Sequence, residues 1–362
     1  MSRATRILLI LVLTLGAAAP AAAAQPRKPA KVNVTVMTRN IYLGGNIFHP
    51  IGAPDLDTFK QRAGELWAEV QRTDFVGTRA ALLAREVRRT KPDLIGLQEV
   101  ALWRRTPAGQ SDGNTTPATQ VVYDFLKSLR RELARLGLKY RVGAVQQEAD
   151  IEAPIDQGYD VRLTMRDVIL VKKRRDLKIT KSLSENYDAD IGVPTPAGTL
   201  TSTRGWTAVD ARLKGRRFRF VNTHLEAAAE APRNAQAQEL IAGGGPLRVR
   251  GKPVIVVCDC NSDPNGTESD PNAVNVLKGF RLVDLWPRLR GGGPGYTCCL
   301  ENSDMSDPTP AGFDHRIDLI LSKPALRPLR GQVVGKRQSD RTANGLWPSD
   351  HAGAVLTLRL PR

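Results

Sequence analysis

The chain reads as an α/β fold built on mixed β-sheets, and three observations lead there. Ten apolar runs of strand length stand against five amphipathic stretches of helical length. The strands fall in adjacent pairs, around Gly215 and around Lys173 to Arg175, which implies hairpins and excludes a strict βαβ alternation. Polar residues with chemical capacity stand at the carboxyl ends of strands from Asn40 to His351, so one domain must span nearly the whole chain.

In chain order, residues 1–24 carry Arg3 and Arg6, an apolar stretch from Ile7 to Leu15 and small residues before Gln25. This is the pattern of a secretory signal peptide cleaved after Ala24, because the strongly apolar part is too short to span a bilayer. Export is therefore expected. Residues 25–31, with Pro and Lys, read as a flexible arm, and residues 32–362 as a single catalytic domain. Strands are expected over Val32 to Thr38, Leu94 to Leu97, Tyr140 to Val145, Val168 to Lys172 and Thr207 to Leu213. Others are expected over Arg217 to Asn222, Val254 to Cys258, Arg316 to Leu321, Gln332 to Val334 and Gly353 to Leu360. Helices are expected over Asp57 to Val70, Thr78 to Thr90, Thr119 to Leu136, Ala229 to Ala242 and Asn272 to Lys278. The run from Thr106 to Thr116 has turn composition and reads as an exposed loop near Glu99.

The strand ends carry the functional information. VTVMTRN ends at Asn40, DLIGLQE at Glu99, FRFVNTH at His224 and VIVVCDCN at Asp259 and Asn261. RIDLIL contains Asp318, and Ser349-Asp350-His351 precedes the last strand. Alone, each is a weak signal: a Glu after a strand is commonly a surface or capping residue, and a His commonly a packed one. Six such sites in order are what a divalent-metal phosphoesterase centre needs.

The order resembles the endonuclease/exonuclease/phosphatase superfamily, from about Val32 to about Leu360. Its Asn, QE, strand-borne His, GDFN, RIDYI-type and SDH motifs correspond to Asn40, Gln98-Glu99, His224, Cys258 to Asn261, Arg316 to Ile320 and Ser349 to His351. The resemblance implies a four-layer sandwich of two mixed β-sheets flanked by helices, the deoxyribonuclease I-like fold. Two departures stand out. Cys258 and Cys260 replace the usual Gly and Phe around the Asp, and Asp167 stands where a neutral Asn is expected to help hold the phosphate. An acid there would repel phosphate unless it bound metal or paired with Arg166.

Residue chemistry then assigns roles. A phosphodiester repels hydroxide, so a hard cation held by oxygen ligands is required, and Mg²⁺ suits, with Mn²⁺ or Ca²⁺ as alternatives. Glu99 is the expected main ligand, with Asn40 and Asp350 beside it. Asp259 orients or deprotonates the attacking water, Asn261 donates to a phosphate oxygen, and His351 contacts the phosphate with its ring held by Asp318. His224 is expected to donate a further hydrogen bond or to act as the acid for the leaving group. No Cys or Ser is placed as a nucleophile, so water is expected to attack in line without a covalent intermediate.

The formal net charge is +16, or +14 without Arg3 and Arg6. Basic clusters occur at Lys172 to Arg175, Arg212 to Arg219 and Arg327 to Arg341. They are read either as a solvated surface or as the footprint of a polyanion. Nucleic acid suits the second reading, since neutralised phosphates release counterions, which makes a non-specific nuclease the expected activity. Anionic lipid or a phosphoinositide head group is the alternative, weakened by an aromatic content of 5% and no visible aromatic-rich hairpin. A silent binding protein of this fold would have lost one of Glu99, Asp259, Asp318 or His351, and none is lost. No obligate protein partner is indicated. Four Cys in an exported chain permit disulfides. The expected bridge joins Cys258 or Cys260 to Cys298 or Cys299, with buried free thiols as the alternative.

Overall fold

Two β-sheets face one another in this computed structural model, which describes residues 31–111, 117–266 and 270–361. The segment expected to be a signal peptide, most of the expected arm and part of the Thr106 to Thr116 loop lie outside the described residues. In spatial order, the larger sheet runs Arg327–Val334, Gly353–Arg359, Asn33–Asn40, Leu94–Gln98, Asp160–Lys172, Leu102–Arg105 and Gln120–Asp124, and Tyr140–Pro154 also pairs with Asp160–Lys172. The smaller runs Val283–Asp284, Asp318–Lys323, Val254–Asp259, Arg216–His224, Gly205–Leu213 and Leu177–Asn186. A short hairpin, Ile191–Thr195 with Gly198–Ser202, stands apart.

Period-two alternation sorts each strand's side chains between layers. Val34, Val36, Ile169 and Val171 of the larger sheet meet Val209, Phe218, Phe220, Ile255 and Val257 of the smaller. On the outer face of the larger sheet, Met37, Ile95 and Leu97 pack with Phe59 and Trp67 of helix Leu56–Arg72, Leu83 of Ala80–Thr90 and Leu129 of Phe125–Arg135. Behind the smaller sheet, Val256, Cys258 and Leu319 meet Ala237 and Leu240 of Glu230–Ile241 and Leu277 of Asn272–Gly279. The result is the four-layer sandwich expected from the sequence.

Three expectations are corrected. The helix predicted from Thr119 begins at Phe125, because Val121, Val122 and Tyr123 form a strand against Leu102–Arg105 and Asp124 caps the helix by accepting from the Lys127 N–H at 3.2 Å. The segment around Lys173 to Arg175 is a crossover between sheets, since Asp160–Lys172 belongs to the larger and Leu177–Asn186 pairs with Gly205–Leu213 in the smaller. Cysteine pairing also differs. Cys258 bridges Cys260, their Cα atoms 5.1 Å apart, and Cys298 pairs with Cys299. Alternation does turn Cys258 and Cys260 away from the Asp259 side chain and into the core behind the sheet. Cys298 and Cys299 lie on the other side, with their sulfurs 3.9 and 3.7 Å from His351 Nε2, so the two pairs do not meet.

Candidate active site

Sheet register brings the predicted residues to one end of the sandwich. Asn40 lies opposite Gln98 in a parallel pair, so the chain reaches Glu99 beside it. In the facing sheet, His224 lies opposite Asp259 in a parallel pair and Asp259 opposite Asp318 in an antiparallel one. Ser349, Asp350 and His351 immediately precede Gly353–Arg359, whose Ala354 lies opposite Thr38. Six segments thus deliver their polar ends to a single cleft between the sheets.

Backbone geometry there is unusual. Tyr42, Glu99 and Asn261 adopt left-handed conformations at φ 56°, 57° and 44°. Asn tolerates this region, whereas for Tyr and Glu it costs energy that the surrounding contacts must offset. Buried Arg79 supplies part of the support by donating to the carbonyls of Ile41, Tyr42 and Pro348 at 3.0 to 3.2 Å. Buried Arg39, ion-paired with Glu86 at 3.0 Å, donates to the carbonyls of Asn40 and His351.

Within the cleft, Asn40 Nδ2 donates to Glu99 Oε1 at 3.0 Å and to Asp259 Oδ2 at 2.9 Å, while its Oδ1 accepts from the Tyr42 N–H. Asn40 therefore bridges two carboxylates, and the second lone pair of its Oδ1 stays free for a cation while the first takes the Tyr42 N–H. Glu99 Oε2 accepts from the Leu43 N–H at 2.8 Å. Glu99, Asp350 and Tyr42 line the same opening, and among the described residues neither carboxylate is hydrogen-bonded to a Lys or Arg. Burial and Glu99 push Asp350 up to about 6, against the opposing charge of His351. Two carboxylates crowded into a cleft with no Lys or Arg hydrogen-bonded to either fit a hard divalent ion, which oxygen ligands and retained waters would complete.

On the opposite wall, His351 Nδ1 lies 2.9 Å from Asp318 Oδ2, and its Nε2 lies 3.7 Å from Asp259 Oδ2. Burial opposes its charge, but Asp318, Asp259 and Asp350 together raise its pKa well above normal, so an imidazolium faces the cleft. His224 behaves differently. Arg204 lies 3.0 Å from its Nδ1, and since a guanidinium only donates, that nitrogen accepts and Nε2 carries the proton. Burial, Arg204 and His351 hold its pKa well below normal. Of its two expected roles, a neutral ring with Nε2–H 3.6 Å from Asp259 Oδ2 suits hydrogen-bond donation and not proton delivery.

Burial, Asp318 and Glu99 push Asp259 up to about 7, partly offset by His351. Such a carboxyl is poised to take a proton near neutral pH. Asn261 donates its backbone N–H to Asp259 Oδ1 at 3.2 Å and its side-chain amide to Leu225 O at 2.9 Å, which leaves one amide hydrogen for a substrate. Asp259, Asp318 and His351 also lie close enough together to ligate a metal. We read them as a base and an oriented imidazole, because Asp318, Asp259 and Asp350 favour the protonated His351 ring, and an imidazolium has no lone pair left for a metal.

Asp167 does not pair with Arg166 in this arrangement. Arg166 turns to the carbonyls of Val100 and Ala101 and to Asp124. Buried Asp167 instead accepts from Asn222 Nδ2 at 3.2 Å, and its Oδ1 has no hydrogen-bond partner among the described residues. Burial and neighbouring Glu148 raise its pKa well above normal, so the carboxyl is neutral and the anticipated repulsion is absent. Asp167→Asn should accordingly leave kcat/KM nearly unchanged. Because the folded-state pKa is raised, the wild-type carboxyl costs stability increasingly as pH rises above the unfolded value. The variant's Tm should therefore equal or exceed the wild type's at pH 8, as thermal unfolding will show.

Arg204 and Tyr42 escaped the sequence reading. Arg204 follows the polar run Thr201-Ser202-Thr203, which has no apolar periodicity, yet it is buried between Glu226 at 3.4 Å and Glu148 at 3.9 Å and lines the cleft. Tyr42 lies two residues beyond Asn40 and donates to Ser303 O at 2.6 Å.

The sequence matches the model of the Endonuclease/Exonuclease/phosphatase family over residues 66–351. The chain belongs to that family. Its members are hydrolases of phosphate esters, and dependence on a divalent metal is characteristic of them. No curated protein matches it significantly. Among solved structures it is similar to an endonuclease/exonuclease/phosphatase from Bacteroides vulgatus, with 16% identity, a TM-score of 0.54 and coverage of 91% of this chain and 100% of that one. A humanized TDP2 from D. rerio shares 14% identity, with a TM-score of 0.51 and coverage of 90% and 98%. The human Nocturnin catalytic domain shares 18%, with a TM-score of 0.50 and coverage of 94% and 100%. At these identities the likenesses speak to the fold.

Proposed function

We propose that this protein is an exported, Mg²⁺-dependent phosphoesterase that cleaves its substrate by direct attack of water. The observation that carries the reading is the convergence of Glu99 and Asp350 on one side of the cleft with Asp259, His351 and His224 on the other. Glu99 and Asp350 would hold the ion, which neutralises phosphate charge and stabilises the departing oxygen when bound. Asp259 takes the proton of the attacking water. The His351 imidazolium and the His224 Nε2–H donate to phosphate oxygens, and Asp318 fixes the His351 ring. Replacing Asp318 with Asn should lower kcat less than replacing His351 with Ala, since the first disturbs only orientation, and steady-state kinetics on a chromogenic phosphodiester will rank the two.

Overall charge supports nucleic acid as substrate, but its placement supports it less. Lys172 closes the strand whose Asp167 lies toward the cleft, and the Leu213-to-Arg216 turn lies a whole strand from His224, roughly 25 Å at 3.3 Å per residue. Arg341, from the third cluster, is engaged with Gly345 O and Pro308 O and lies over Trp347. Beside the cleft, by contrast, a polar hollow holds Glu65, Glu69, Glu301 and Asp304 with Arg72 and His49, so acids outnumber bases there. That rim favours an ester whose negative charge is confined to the reacting phosphate. Lys173→Ala with Arg175→Ala should leave turnover of supercoiled DNA and of a small phosphodiester equally unchanged, and a selective loss on DNA would restore the polyanion reading. Export rests on the leader-like residues 1–24, and N-terminal sequencing of secreted protein beginning at Gln25 would establish it.

A further inference from the structure

Beside the catalytic cleft lies a second, more enclosed hollow of about 90 Å³, and Ile47, Phe48, Met165 and Arg204 line both. Its remaining wall is apolar, formed by Trp103 and Leu163 of the larger sheet and by Val193 and Leu200 of the Ile191–Ser202 hairpin. The polar groups at its edge already have partners: Arg204 pairs with Glu226 at 3.4 Å, and Ser202 donates to Glu226 at 2.7 Å. Nothing there calls for a polar ligand. At the mouth Phe48 is 47% exposed, one of few large apolar side chains so placed among the described residues. Apolar surface left open to water is unfavourable, and a small apolar cavity of this kind stays dry and takes apolar guests.

We propose that this chamber receives an apolar alkyl or aryl group of the substrate, so that the ester cleaved is amphiphilic, with its phosphate in the cleft and its apolar group beyond Met165 and Arg204. The inference rests on the phosphoesterase reading for the position of the phosphate. Size limits the guest. An engineered apolar cavity that holds benzene measures about 150 Å³, so this chamber takes one ring edge or a short length of a single chain.

The test is calorimetric titration of the full chain, with Mg²⁺ present, by n-alkylphosphonates from methyl to octyl, alongside hydrolysis of the matching alkyl 4-nitrophenyl phosphodiesters. Each methylene that leaves water should tighten binding by about fourfold, until the chamber is full and the series levels off. Ala153 lines the chamber, and Ala153→Phe should fill it and flatten the series while leaving the methyl compounds unaffected. Leu200→Ser, on the partly exposed hairpin, should make the slope shallower if the larger substitution does not fold. A flat series in the wild type, or the same slope in a folded Ala153→Phe protein, overturns the chamber assignment. Chain-length-dependent binding without hydrolysis of any ester supports the chamber and overturns the hydrolytic reading alone.

Discussion

Replacing Glu99 with Gln is expected to leave a folded protein whose kcat falls by about 10² or more, because the charge that would hold the ion is lost and with it several kcal/mol of transition-state stabilisation. Glutamine keeps the shape, and its single amide oxygen can accept from either the Leu43 N–H or Asn40 Nδ2, so the left-handed backbone at position 99 gives up one of its two contacts. Circular dichroism should match the wild type, with Tm lowered by only a few degrees for the lost hydrogen bond. The loss should also be sensitive to ion concentration, with excess Mg²⁺ recovering part of the rate. Near-normal turnover in a well-folded Glu99→Gln protein would remove Glu99 from the ion site.

Asp259→Asn should be at least as damaging to turnover, since the amide cannot accept a proton from water, a contribution typically worth 10² to 10⁴ in rate. The same substitution should stabilise the ion-free protein, and the sign follows from the pKa. In the folded state the carboxyl is pushed up to about 7, mainly by burial, above its ordinary value of 3.8. Between those values the folded form retains a proton that the unfolded chain releases, so folding becomes less favourable as pH rises through this window. The variant's advantage in Tm should thus be absent near pH 4, grow to about pH 7 and level off above it. A variant that loses activity and gains stability only above pH 4 would show that this residue's buried charge is retained for chemistry.

Much of the architecture was legible because alternation is strong where both faces of a strand are buried. Val254–Asp259, with every side chain covered, was bounded to within a residue, and the hairpin at Gly215 was placed correctly. Tyr140–Pro154 and Asp160–Lys172 were seen only in part, because Gln, Glu, Arg and Asp interrupt the apolar pattern in their unpredicted halves, partly exposed in the first strand and mostly buried in the second. Ile191–Thr195 and Gly198–Ser202 were missed for the same reason: a small hairpin with exposed alternate residues has little apolar contrast. In the site, strand-end residues were legible because an isolated polar group after a buried run stands out. Arg204 was not, since its significance comes from Glu148, Glu226 and His224, which only the fold brings near it. The basic clusters were legible as sequence but not as positions, and the distance of the Leu213-to-Arg216 turn from His224, with the Arg341 guanidinium already bonded to carbonyls, changes what their charge implies.

The most direct test is the rate at which purified protein hydrolyses a chromogenic phosphodiester with Mg²⁺ present, after chelation and after Mg²⁺ is restored, with Glu99→Gln prepared in parallel. The expected result is turnover that chelation abolishes and Mg²⁺ restores, with the variant slow throughout. Turnover indifferent to chelation and equal in the variant would contradict a metal-dependent centre at Glu99.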